Sequence, residues 1–458
     1  MKRKLFYKSL ILSGVVLLFF ACQRNSTPHK TKILGKIINP KKTEIVISKD
    51  PFNIVSDTLF VKSGNKFSGE INVMKEGLHY IFIFPEFQVI YLKPGDSLAF
   101  VLNTSEFDES LSFSGTSGFE NNLLIDLFLT NEKENVEISR RMKKLNPEEL
   151  TRKLDSFYAA KQQLINSYKT SYQKTTPHYK KIIDLYNRVS QYRIKENYLS
   201  IYKSNIPKEF KNHRTFLKQK TADANLPDLL YFAKTFIYNR MREEQIPHSK
   251  VFSKAIEIID KEIGDPHLRD NMYMIYCKNY IIGNSIQNPK DSVFLQYINR
   301  LQNPLYKESC YKYIKKNNIL AKGKEFPALP VRNRYGNIVS LNKLLKKHKN
   351  LISYWDMYFM SNFKSNLEKL QKIKEEYPEL QIIVLNDNPD DFQEWQLQIP
   401  QNKDFIFLQV NLKEYEMENF LPYGLNQVFL LDSTQIQQSL INLYDRNFAG
   451  KINAFMKK

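Results

Sequence analysis

The stretch Leu351-Ile-Ser-Tyr-Trp-Asp-Met-Tyr-Phe-Met-Ser-Asn362 decides how the last third of this 458-residue chain folds. An apolar run that ends in the aromatic pair Tyr354-Trp355 predicts a buried strand. Apolar residues then recur at helical spacing, at Phe363, Leu367, Leu370, Ile373 and Tyr377. The stretch therefore predicts a strand that runs directly into an amphipathic helix.

Stretches around this junction continue the alternation of strands and helices. Gly323 and Pro327 mark a linker, and the segment from Leu329 to Ser340 predicts a strand pair whose last residue caps a short helix. Further along, we predict strands at 379–385, 404–410, 427–432 and 435–443 and helices at 390–398 and 448–456. Strands that alternate with helices favour an α/β domain with a parallel crossover.

The order of elements from Gly323 onward resembles the TlpA/ResA-like branch of the thioredoxin superfamily. In that branch a Cys-x-x-Cys pair stands at the junction, where the N–H groups and dipole of the helix lower the pKa of the first thiol. The matching positions here hold Phe359 and Asn362, and Asn426 stands where the family carries a cis-proline facing the pair. No cysteine follows Cys310. We therefore expect a thioredoxin-like domain over 321–458 that has kept the fold and lost the redox reaction.

The N-terminus has the pattern of a targeting segment. A basic start at Lys2-Arg3-Lys4 precedes an apolar run, Leu5–Phe20, which is short for a membrane span. The run ends in Ala21-Cys22 and resembles a bacterial lipoprotein signal, in which the cysteine is acylated before cleavage. We predict a signal peptide at 1–21, and a tether over 22–31 that starts from a lipid anchor on its first cysteine. An uncleaved anchor helix is the alternative.

Two further regions precede the C-terminal domain. From 32 to 118, short alternating stretches separated by turn residues predict an antiparallel, sandwich-like β domain. Its segments Leu92-Lys-Pro-Gly-Asp-Ser-Leu98 and Phe113-Ser-Gly-Thr116 resemble the β domain found before thioredoxin-like modules in envelope lipoproteins of the Bacteroidetes. From 119 to 320, apolar residues at helical spacing predict a helical region. The predicted fold class is multidomain α+β.

The chain is strongly basic, with a formal net charge of +20, of which four charges lie in the targeting segment. A polyanionic partner in the cell envelope would explain this balance, and solvated surface lysines are the alternative. The Tyr- and Lys-rich run at 168–202 has the composition of a nucleic-acid surface. Tyrosines at helical spacing more often pack between helices, and an exported protein rarely meets nucleic acid. We predict no nucleic-acid partner.

Little else in the sequence indicates chemistry. Cys277 and Cys310 remain beyond Cys22; an oxidising envelope permits a disulfide between them, and two buried free thiols are the alternative. The seven histidines are scattered, and neither a metal-binding motif nor a phosphate-binding glycine loop is present in the sequence. We predict no metal site and no cofactor.

These patterns lead to three hypotheses on function. In the first, a lipoprotein on the periplasmic side of the outer membrane binds an envelope protein or peptide in a groove lined by Trp355, Tyr358, Phe359 and Met360. The alternative is that these four side chains pack into the interior of the domain and form no groove. The second is a thiol-disulfide oxidoreductase, as the resemblance implies, which would depend on Cys277 and Cys310. The third is a binder or scaffold of envelope polyanions.

Overall fold

The structure, a computed structural model, describes residues 30–40, 43–83, 86–202, 206–284, 286–355, 360–386, 392–411, 427–445 and 447–457. The chain divides into two compact units, Met1–Phe236 and Ile237–Lys458. This division falls inside the range 119–320 that the sequence predicts as one helical region. The architecture is multidomain α+β, as predicted.

The first unit begins with eight strands: β1 (Lys30–Ile38), β2 (Glu44–Ser48), β3 (Ser56–Phe60), β4 (Lys66–Asn72), β5 (Gly77–Ile83), β6 (Glu86–Leu92), β7 (Ser97–Asn103) and β8 (Ser112–Gly115). They form two four-stranded sheets, in the orders β4-β1-β7-β8 and β3-β2-β5-β6. Ile33 of the first sheet and Ile45 of the second belong to one apolar core, so the sheets pack face to face as a sandwich.

One pairing corrects the expectation of a purely antiparallel domain. β1 and β7 run parallel, with Ile33 opposite Leu98 and Ile37 opposite Leu102. Parallel strands cannot be joined by a tight hairpin, and here the chain between them passes through the second sheet. The alternation of side chains along a strand predicts that strand and its buried face. Whether the strand runs parallel or antiparallel to a neighbour distant in sequence depends on the path of the chain between them.

Helices complete the first unit and lead into the second. They are α1 (Phe107–Ser110), α2 (Gly118–Arg141), α3 (Pro147–Ser167), α4 (Lys169–Gln173), α5 (Pro177–Ile201), a 3-10 helix (Lys208–Lys218) and α6 (Pro227–Glu243), within which the division between the units falls. A capping box starts α3. The Asn146 side chain accepts a hydrogen bond from the Glu149 N–H, and the Glu149 carboxylate accepts one from the Asn146 N–H, both at 2.9 Å.

The second unit continues with four helices, α7 (Val251–Glu262), α8 (Pro266–Gly283), α9 (Ser292–Arg300) and α10 (Pro304–Ile319). A side-chain oxygen of Asp265 caps α8, and one of Asn303 caps α10. Each capping residue is followed by a proline at the first helical position, where the missing N–H costs nothing. Short polar-plus-proline sequences therefore set where these helices begin.

A mixed sheet with flanking helices ends the chain. Its elements are β9 (Pro330–Asn333), β10 (Ile338–Ser340), α11 (Leu341–Leu345), β11 (Lys349–Trp355), α12 (Met360–Glu376), β12 (Gln381–Asn386), α13 (Phe392–Gln398), β13 (Phe405–Val410), β14 (Gln427–Asp432), β15 (Gln435–Asn442) and α14 (Phe448–Met456). The strand order is β10-β9-β13-β12-β11-β14-β15. β11, β12 and β13 are parallel, and β14 runs antiparallel to β11, which confirms the predicted crossover and the closing antiparallel pair.

Both faces of this sheet are buried. The neighbouring residues Leu351 and Ile352 of β11 point to opposite faces and belong to two different apolar cores. A strand covered on both sides must be apolar at successive positions, which explains the continuous apolar run in the sequence.

Candidate functional site

Three parallel strands end side by side where β11 leads toward α12. The register places Trp355 opposite Asn386 at the end of β12, and Asn386 opposite Gln409 near the end of β13. Residues opposite one another in a sheet point to the same face, so these three side chains form one row. We call this row, together with the start of α12, the carboxyl edge. In open α/β sheets, ligands bind beyond this edge of the strands.

An aromatic stack connects the end of β11 to the first turn of α12. The rings of Trp355 and Phe363 lie nearly parallel, at 14°, with centroids 3.7 Å apart. The ring of Phe363 also meets Phe407 of β13 edge-on. Such contacts add to the burial energy of the rings and hold the helix start against the sheet. The indole Nε1 of Trp355 is buried and has no hydrogen-bond partner among the described residues.

The sequence pattern did not single out the two amides of the row. Asn386 and Gln409 are both almost completely buried. Each stands near the end of an otherwise apolar strand, after Ile383-Val-Leu385 and Phe407-Leu408 respectively. Burying an amide costs free energy unless it is hydrogen-bonded, so an amide within an apolar strand is unusual. Such polar residues near the ends of apolar strands are the sequence signal that could have pointed to this site.

The structure describes some of the predicted site residues. Trp355 is 3% exposed and its ring stacks on Phe363, which agrees with the alternative in which these aromatic side chains pack into the domain. Asn362 is half-buried in the first turn of α12. Met360 begins that helix, and its side chain is not among those that the structure describes. The remaining predicted positions lie outside the described residues: Cys22, Tyr358, Phe359 and Asn426.

Cys277 on α8 and Cys310 on α10 are free thiols, and both are fully buried. The Sγ atom of Cys310 lies 3.5 Å from Sδ of Met274. The neighbouring Cys310 thiol, as the larger cause, and burial together raise the pKa of the Cys277 thiol well above its ordinary value. The thiolate is the nucleophile in disulfide exchange, so a thiol with a raised pKa is poorly suited to that reaction.

A buried ion pair links the helices of the first unit. Nζ of Lys161 donates to the Glu134 carboxylate at 2.6 Å, to Oδ1 of Asn131 at 2.7 Å and to Oγ of Ser190 at 3.1 Å. Burial is the largest cause that lowers the pKa of Lys161 and raises that of Glu134, against their mutual attraction. Three helices meet at this ammonium group, and removing one partner would leave the other charge buried and uncompensated.

A second buried carboxylate fastens the 3-10 helix to α5. Glu196 accepts hydrogen bonds from Nε of Arg214 at 2.6 Å and from the His213 ring at 3.0 Å. Burial alone would raise the pKa of Glu196, but these donors lower it to about 2. The charge is therefore kept inside the unit, where it has a structural role.

Among the residues that the structure describes, no group of three or more His, Cys, Asp or Glu side chains is arranged to hold a metal ion. In the same ranges, no helix combines the length and apolar character needed to span a membrane.

Comparisons with known proteins find structural likenesses. No protein-family model matches the chain, and no curated protein matches it. The thioredoxin domain of a thiol-disulfide oxidoreductase from Bacteroides vulgatus is 21% identical over 30% of this chain and 98% of its own, with a TM-score of 0.25. A thiol:disulfide interchange protein from Bacteroides sp. is 20% identical over 30% of this chain and 92% of its own, with a TM-score of 0.24.

A third likeness extends further along the chain. A thioredoxin-like protein from Bacteroides caccae is 11% identical over 56% of this chain and 99% of its own, with a TM-score of 0.33. All three TM-scores are low, so the description of the fold rests on the strand order and register given above.

Proposed function

We propose that this protein is a lipoprotein anchored through Cys22 to the periplasmic side of the outer membrane. Its C-terminal domain would be thioredoxin-like, carry out no redox reaction and bind an envelope protein or an extended peptide at the carboxyl edge. The strand order supports the fold, because three parallel strands, joined by helices, are followed by an antiparallel pair.

The Trp355–Phe363 stack is the observation that carries the binding proposal. It fixes the start of α12 at the edge where ligands of α/β sheets bind. A dithiol reaction needs an ionisable sulfur at that helix start, and the sequence has Phe359 there instead. The sequence thus has an apolar residue directly before α12, and apolar residues are typical of sites that bind another polypeptide.

A binding measurement on the full chain tests this proposal. The probe is a fluorescent, reduced and alkylated insulin B chain, an extended peptide without free thiols. We expect saturable binding that Phe359→Ala weakens about tenfold or more, as for an aromatic anchor at the centre of an interface. Phe87→Ala is the matched control, because it makes the same change at an exposed ring of β6. No binding by the unmodified chain, or equal loss in both variants, would contradict the proposal.

The anchor is tested separately by incorporation of labelled palmitate. We expect the label in the unmodified protein and its loss in Cys22→Ser, together with loss of cleavage. Labelling that persists in this variant would contradict the anchor while leaving peptide binding untouched.

The alternative function is a thiol-disulfide oxidoreductase. The closeness of Cys310 to Cys277 favours it, because two thiols lie near one another in the second unit. Their burial and the raised pKa of Cys277 oppose it. Reduction of insulin by the purified protein, lost in Cys277→Ser, would replace the binding proposal with this one.

A further inference from the structure

One face of the sheet β4-β1-β7-β8 is a basic groove. The outward side chains form two rows across the strands, Ser68–Leu34–Ala99–Ser114 and Lys66–Lys36–Val101–Ser112. Together with Lys62 they line a groove of about 720 Å³. We call this surface the basic face. Its volume is within the range of sites that hold small molecules and headgroups.

The lysines of the basic face lack compensating charges. Lys36 lies directly opposite Lys66 in the sheet. The backbone of Lys62 pairs with that of Lys66 in an isolated antiparallel β-bridge. Like charges opposite one another destabilise a sheet. Within the described residues, none of the three forms an ion pair. The four strands contain a single carboxylate, Glu70, and Lys30 already binds it at 2.9 Å. The arrangement fits an anionic ligand.

Exposed apolar side chains lie beside these charges. Val101, opposite Lys36, is 42% exposed, and Ile38, on the same side of β1, is 39% exposed. A soluble polyanion would match the lysines and leave these side chains in water. A lipid bilayer matches both, since it presents anionic headgroups above an apolar layer.

The place of β1 in the chain brings this surface close to the proposed anchor. Seven residues, 23–29, separate Cys22 from Lys30 at the start of β1. A fully extended chain of that length reaches only about 24 Å. We propose that the basic face binds anionic phospholipid headgroups of the membrane that carries the anchor. The location at the membrane rests on the proposed function, whereas the charge pattern of the basic face is independent of it.

Vesicle sedimentation with the full mature chain, residues 22–458 without acylation, tests the proposal. We expect binding to phosphatidylglycerol-containing vesicles, much weaker binding to phosphatidylcholine vesicles, and weakening by salt. Lys36→Gln combined with Lys66→Gln removes two charges and should lower the partition coefficient about 30-fold, as expected for two lysines near an anionic surface. Lys143→Gln with Lys144→Gln is the matched control at exposed positions outside this sheet and should bind normally.

Three results would overturn the proposal. These are equal binding to both kinds of vesicle, an unchanged partition coefficient in the Lys36/Lys66 variant, and binding of soluble polyglutamate without any binding of vesicles. Circular dichroism confirms that both double variants are folded. Because the chain is not acylated and Cys22 is retained, a failed anchor appears only in the palmitate experiment, and a failed basic face appears only here.

Discussion

The sheet β4-β1-β7-β8 and the seven-stranded sheet of the second unit bury their side chains in different ways. The first has one face in the sandwich core, and on its other face the outward side chains line an open groove. The second is covered on both faces by separate apolar cores. The sheet that is covered on one face keeps its other face open to a ligand. The sheet that is covered on both faces has only its carboxyl edge left for ligand binding.

This contrast also explains which sequence patterns were informative. Short alternating stretches predicted the strands of the β domain, and the unbroken apolar run of β11 predicted a buried strand. Both patterns depend on local side-chain periodicity, which a sequence displays directly.

The largest expected effect tests this contrast with one substitution in two places. Leu351→Ala in the covered sheet should lower the free energy of unfolding by about 2–5 kcal/mol, because it leaves a cavity in a closed core. Leu34→Ala removes the same atoms from the half-buried basic face and should cost less than about 1 kcal/mol. Urea unfolding followed by circular dichroism measures both. Equal losses would contradict the assignment of one open and one covered sheet.

Lowering the pH should reduce the stability of the β sandwich through protonation of His79 in β5. Burial lowers the pKa of this histidine from its ordinary value to about 4. The unfolded chain therefore takes up a proton at a higher pH than the folded chain, so stability present above about pH 6.5 is lost as the pH falls toward 4. The shift corresponds to about 3 kcal/mol.

Unfolding at pH 7 and pH 4.5 measures the effect of His79. In His79→Gln the part of the pH dependence due to this residue should disappear, while the part due to carboxylates remains. An unchanged pH profile in the variant would show that His79 is accessible to protons in the folded state.

A smaller effect is expected from close packing inside the sandwich. A Cβ atom on Gly35 would overlap the carbonyl oxygen of Phe100 and crowd the ring of Phe67. Gly35→Ala should therefore destabilise the first unit by about 1–3 kcal/mol. Gly283→Ala at the end of α8, where a Cβ would meet nothing within 4 Å, is the control and should be neutral or slightly stabilising. Thermal unfolding of both variants decides this.

Other features could not be predicted because they depend on contacts between distant segments. Lys161 lies on a helix with many charges and has the pattern of a surface residue; hydrogen bonds to Glu134, Asn131 and Ser190, on two other helices, make its burial tolerable. The parallel pairing of β1 with β7 depends on the path of the intervening chain. Asn386 and Gln409 become neighbours only through the register of β12 and β13. Periodicity predicted the elements, and tertiary contacts assembled the site.

The smallest effect concerns the single carboxylate among the four strands of the open sheet. Glu70 and Lys30 form an exposed ion pair, and solvent and salt screen such pairs, so Glu70→Gln should leave the midpoint of urea unfolding unchanged. The same change makes the strands more basic and should strengthen binding to phosphatidylglycerol vesicles about fivefold, the effect of one charge near such a surface. Glu209→Gln, an exposed carboxylate of the 3-10 helix, carries the same charge change and should bind vesicles as the unmodified chain does. Equal gains in both variants would mean that net charge, rather than the basic face, determines binding.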